Sequence, residues 1–145
     1  MMPVGIIVAT VLAALAGLHI YWATGGVWPG TDEKSCARTV AGFRGIEKMP
    51  SIPEAITVAI LLSAAALLAL VLGMGNDMLP AWLLVALGAA ASLVFTGRGV
   101  AGYLPAWRRL TPEMPFAAYD VRYYSPLCLT LGASFAFLTV SGTTP

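Results

Sequence analysis

The twenty positions 54–73, "EAITVAILLSAAALLALVLG", carry one charge, Glu54, at their first residue and none after it. As an α-helix this stretch is about 30 Å long, the thickness of the hydrocarbon core of a bilayer. Three further runs of the same kind lie near 3–24, 80–103 and 125–141. The chain of 145 residues is 59% hydrophobic and 10% charged, too little polar surface to clothe a soluble globule of this size. The expected fold is therefore all-α, an integral membrane four-helix bundle forming a single domain over 1–145.

The first run needs a separate argument, because "LAALAG" offers small residues at the spacing of a signal-peptide cleavage site. No Lys or Arg precedes its apolar stretch, so it is read as a retained span. The net charge of +1 is uninformative, but its distribution is not. Lys34, Arg38, Arg44 and Lys48 fall between spans one and two; Arg98, Arg108, Arg109 and Arg122 fall around the link from span three to span four. The positive-inside rule then places the links 25–53 and 104–124 in the cytoplasm and both termini outside, in a bacterial cytoplasmic (inner) membrane. Some of these arginines are equally open to serving a site.

Small residues four apart occur in every span: Ala9, Ala13 and Gly17; Ala65, Ala69 and Gly73; Gly88, Ser92 and Thr96; Cys128, Gly132 and Ala136. Such spacing lets helix backbones approach closely where lipid supplies no hydrophobic force between helices. "SIPE" at 51–54 has capping-box spacing, "SP" at 125–126 reads as a cap followed by proline at the first helical position, and "LPAW" at 79–82 opens the third span similarly. The turn "GMGNDM", with Asn76 and Asp77, makes spans two and three an antiparallel hairpin. The two long links are too long for connectors and too aromatic for disorder, so they are expected to fold over one mouth of the bundle, with Trp22, Trp28, Tyr103, Trp107 and the tyrosines of "YDVRYY" at headgroup depth.

Nearly every ionisable residue belongs to that mouth. Arg98 falls within the apolar length, so it either snorkels to the interface, pairs with Asp120 or Glu54, or holds a ligand anion. His19, the one histidine, is a hydrogen-bonded structural residue or a base and donor to a headgroup; Trp22, three residues on, shares its face. Glu54 has a capping role available. Asp120 is a clasp for the loop or an acid in a site, with Arg122 and Tyr124 just ahead of the fourth span. His19, Trp22, Glu54, Arg98, Asp120, Arg122 and Tyr124 form the candidate polar cluster.

A single histidine gives no bis-histidine haem, no di-iron bundle motif and no ordinary zinc spacing, so no metal or cofactor is implied. Cys36 and Cys128 are not a CxxC pair. On a cytoplasmic face they would be reduced thiols, and a disulfide between them would invert the topology. No basic run with interleaved aromatics points to nucleic acid.

The stretch "FAAYDVRYYSPLCL" at 116–129, with "HIYWATGG" at 19–26 and the arginine closing span three, resembles a family of small bacterial integral membrane proteins, domain of unknown function 3995. The likeness covers the chain from about His19 to the fourth span. Its positions are Trp22, Gly25, Pro53, Arg98, Asp120, Tyr124, Ser125 and Pro126, and its most specific part is the run Phe116, Ala117, Asp120, Tyr124, Ser125, Pro126, Leu127 and Cys128. The resemblance implies a four-helix membrane protein and brings no activity with it.

Three functions compete. The first is an accessory or structural subunit of a membrane complex, whose partners are the bilayer and either a larger assembly or further copies of this chain; it requires an internally satisfied polar cluster. The alternative is a membrane enzyme or binding protein for a lipid-like molecule, an isoprenoid or a quinone, with a cavity ending at Arg98. A transporter or channel comes third, because the helix interiors offer only Thr57, Ser63, Ser92, Thr130 and Ser134 as polar groups.

Overall fold

The computed structural model describes residues 1–75 and 79–143. Helices run Met2–Ala23 (α1), Glu33–Val40 (α2), Ile52–Met74 (α3), Ala81–Ala101 (α4), Pro105–Leu110 (α5), Phe116–Tyr119 (α6) and Ser125–Thr143 (α7), with one π-helical turn, Asp120–Tyr124, joining α6 to α7. Among the described residues four helices are long and apolar enough to cross a membrane: α1, α3, α4 and the continuous helix Phe116–Gly142. Large side chains such as Leu61, Leu67, Leu93, Val94 and Val140 stand exposed around them, as suits a multi-pass membrane protein whose solvent is lipid.

The bundle is two tight antiparallel pairs, α1 with α3 and α4 with α7. In the first pair Gly5 and Gly73 let the backbones touch: a Cβ on Gly5 would lie 2.7 Å from the Ala69 carbonyl oxygen and 3.1 Å from Gly73 Cα. In the second, Gly88 faces Thr139, Gly132 faces Thr96, and Ser92 Oγ donates to the Gly132 carbonyl at 2.9 Å. The pairs meet over Leu12, Leu72, Phe135 and Leu138, all fully buried, with Phe95 stacked on Phe135 at 5.7 Å.

The expected hairpin of spans two and three is loosely packed. Spans two and three follow each other in the chain, yet α3 and α4 meet sparsely, because their small residues face α1 and α7. The turn residues Asn76 and Asp77 lie outside the described residues. The small-residue stripes are also used unevenly. In α1 the packed face is Gly5, Val8, Ala9, Leu12 and Ala16, while Ala13 and Gly17 are exposed; in α7 Gly132 is buried and Ala136 exposed.

The "SP" cap needs correction. The fourth span does not start at Ser125: the chain is already helical from Phe116, and the Ser125 N–H donates to the Asp120 carbonyl across the π turn. Pro126 has no N–H to give, and the wider turn ahead of it carries the helix through that gap. The third span opens with Pro80 as its cap and Ala81 as its first helical residue. Glu54 caps as expected, its Oε2 accepting from both Ser51 N and Ser51 Oγ at 2.7 Å.

The two links fold onto each other at one end of the bundle, as expected. Arg44 N donates to the Leu110 carbonyl at 3.0 Å, Glu113 N to the Gly42 carbonyl at 3.2 Å, and Gly45 N to Glu113 Oε1 at 2.8 Å. Gly42 takes a φ of +67° with the Phe116 ring where a Cβ would stand, so glycine is required there. Within the first link, α2 is capped by Asp32, which accepts from Ser35 N at 2.7 Å; that bond holds the Asp32 carboxyl below its ordinary value.

Candidate functional site

The π turn builds the centre of the site. Inserting one residue per turn brings Ser125 over Asp120 and turns the aspartate into the protein, where it is 2% exposed. A carboxylate buried to that degree needs donors, and Asp120 has three. Arg98 Nη2 donates to Oδ1 at 2.7 Å, Trp107 Nε1 to Oδ2 at 2.9 Å, and Ser125 Oγ to Oδ1 at 3.2 Å. The guanidinium carbon of Arg98 lies 4.8 Å from the centroid of the Trp107 ring, adding a cation–π contact. Gly102, just past α4, leaves room for the cluster: a Cβ there would overlap Ser125 Oγ and come within 3.0 Å of Asp120 Oδ2. Of the partners foreseen for Arg98, the fold selects Asp120 and leaves Glu54 to its cap.

Arg98 is not exhausted by this bond. Its Nη1 is buried and has no hydrogen-bond partner among the described residues. The same side chain lines a cavity of about 390 Å³ at the mouth of the bundle, between α1 and α7. Leu15, Leu18, Val40, Pro29 and Leu127 supply its aliphatic wall, Trp22, Trp28, Phe116 and Tyr124 its aromatic wall, and His19, Arg98 and Cys128 its heteroatoms. His19 Nδ1 is 2.8 Å from the Leu15 carbonyl, which can only accept, so Nδ1 carries the proton and Nε2 is left for other partners. Trp22 Nε1 donates to the Trp28 carbonyl at 2.7 Å and Tyr124 Oη to the Thr39 carbonyl at 3.1 Å, so both present rings to the cavity with their polar atoms already engaged.

Four residues of the expected cluster, His19, Trp22, Arg98 and Tyr124, thus share one cavity, and Asp120 stands behind it as the partner of Arg98. Glu54 is exposed; it borders a separate cleft of about 120 Å³ beside His19 and Trp22. Arg122 is exposed and lies over the Tyr123 ring at 5.6 Å, outside the cluster. Trp107, Ser125 and Gly102 were missed as parts of the clasp. Trp107 carried a usable signal, an indole donor ahead of a buried acid, but it read equally well as a headgroup-depth aromatic.

The remaining polar groups are engaged locally. Thr57, Ser63, Thr130 and Ser134 each donate to the carbonyl four residues earlier in their own helix. Both cysteines are free thiols. Cys36 is buried under the first link, and burial pushes its thiol up, opposed by a hydrogen bond with the Gly30 backbone.

A family model described as "Protein of unknown function (DUF3995)" matches residues 12–135. The chain belongs to this family. The DUF3995 match takes in every residue of the cavity and of the Asp120 clasp. No curated protein and no solved structure matches the chain.

Proposed function

We propose that this DUF3995 protein binds an amphipathic, lipid-like molecule, with the headgroup in the mouth cavity and the tail along the apolar wall of α1 and α7. The observation that carries the reading is the cavity itself: apolar and aromatic on most sides, with the Arg98 and His19 side chains as the polar part of its wall. Binding sites of this kind combine a dominant apolar lining with a few fixed polar groups. Whether chemistry follows binding turns on His19, whose Nε2 is left as an acceptor by the Nδ1 bond to the Leu15 carbonyl.

A second reading, an accessory subunit, draws on different features. The Asp120 clasp is satisfied within the chain, and a groove of about 600 Å³ between α1 and α3 displays Ala13, Gly17 and Ser63, small residues that the internal packing does not use. A helix of a larger complex or of a second copy would fit such a surface. For either reading we place the protein in a bacterial inner membrane with the links 25–53 and 104–124 cytoplasmic and both termini outside, on the strength of the eight Lys and Arg gathered at one end.

Native mass spectrometry of the protein released gently from its host's membranes separates the two. The binding reading expects a stoichiometric small molecule that is lost in His19→Ala. A stoichiometric polypeptide with no small molecule would replace it with the accessory reading.

A further inference from the structure

We propose that the headgroup taken by the mouth cavity is a neutral, planar, carbonyl-bearing ring, that of a prenylated quinone, and not a phosphate. This inference rests on the binding reading above and narrows it. Arg98 is the sole Lys or Arg lining the cavity, and its charge is already neutralised by Asp120 at 2.7 Å. Lys34 and Arg38 pair with Glu47 and Glu113 in the links, and no Lys or Arg other than Arg98 lines the cavity. A phosphate would therefore enter a largely apolar space with no uncompensated cation to meet it, which is strongly unfavourable. A carbonyl oxygen brings no net charge and needs only a donor, and the Arg98 side chain forms part of the cavity wall.

The shape of the headgroup follows from the walls. Trp22, Trp28, Phe116 and Tyr124 offer ring surfaces, against which a flat conjugated ring packs better than a tetrahedral group or a sugar. His19 Nε2 supplies a second polar contact, accepting from a ring hydroxyl when the quinone is in its reduced form. Leu15, Leu18 and Leu127 line the same cavity from α1 and α7, so a prenyl tail leaves toward the helices that face lipid. Binding alone is proposed here.

The test uses the full chain in lipid nanodiscs, with decylubiquinone and farnesyl phosphate as probes. Quinones quench nearby indoles, and Trp22 and Trp28 line the cavity. The expected result is saturable quenching by decylubiquinone that farnesyl phosphate does not reverse. Cys128→Trp fills the cavity from α7 and should weaken the quinone by about tenfold or more. Leu18→Trp fills it from α1, so that a folding failure of one variant leaves the other to be read. Asp120→Asn releases the Arg98 cation and should let farnesyl phosphate compete. Saturable binding of farnesyl phosphate by the unaltered protein, with none of decylubiquinone, would overturn the neutral ring and leave amphiphile binding standing. If neither probe binds and the protein from its own membranes carries no small molecule, the binding reading falls as well.

Discussion

Asp120 is the residue on which the mouth of the bundle depends. It is a buried carboxylate with three donors, and removing it strands Arg98 as an uncompensated charge in a largely apolar setting. Asp120→Ala should cost about 3–5 kcal/mol, and Trp107→Phe, which deletes one of the three donors, about 1–3 kcal/mol. Equilibrium unfolding in mixed micelles measures both, and equal small losses for the two would show that the cluster is not coupled. Glycine supplies a sharper contrast. Gly102→Ala drives a methyl group into Ser125 Oγ and should destabilise by about 1–3 kcal/mol, whereas Gly17→Ala meets nothing within 4 Å and should not destabilise.

At the scale of elements, the molecule is divided between helix pairs and link cap, and each has its own weak point. Gly5→Ala places a methyl 2.7 Å from a backbone oxygen of α3, which no side-chain rotation relieves, so α1 and α3 must separate. The cost should be about 1–3 kcal/mol and should be absent for the exposed Gly97→Ala, where nothing lies within 4 Å, beyond a gain in helix propensity. In the cap, Glu113 holds the first link by accepting from Gly45 N and facing Arg38 Nε at 3.5 Å, a distance of charge attraction and not of a hydrogen bond. Glu113→Ala should therefore speed protease cleavage within 41–50 while leaving the four long helices intact; unchanged cleavage would mean that the link is held by its other contacts. The Asp32 cap of α2 has its own pH sense. Because its carboxyl is held below 3.8, the cap is fully present above that value and is lost only as pH falls through the lowered one.

For the whole molecule the outstanding property is orientation. Lys48 is exposed in the first link, so Lys48→Cys should react with a membrane-impermeant maleimide only after the cytoplasmic face is opened. The native Cys36 does not confuse that assay: it is buried, and its raised thiol gives less thiolate at any pH than a free cysteine. Labelling of intact cells at residue 48 would turn the topology over. The overall architecture was legible in the sequence. Predominantly apolar runs of about twenty residues have one stable form in lipid, since every backbone group must be satisfied inside its own segment, and the four runs lie within about two residues of the helices except where the π turn extends the fourth. Pairing of the helices was not legible. Small residues four apart mark several faces of an alanine-rich helix alike, and only packing chose Gly5 over Gly17 in α1 and set α3 against α1 instead of α4. The candidate residues lie toward one mouth because topology alone brings those helix ends together. Which of them meet was decided by side-chain direction: the π turn aims Asp120 inward at Arg98 and Trp107, leaves Arg122 outside, and opens beside them a cavity that no spacing in the chain encodes.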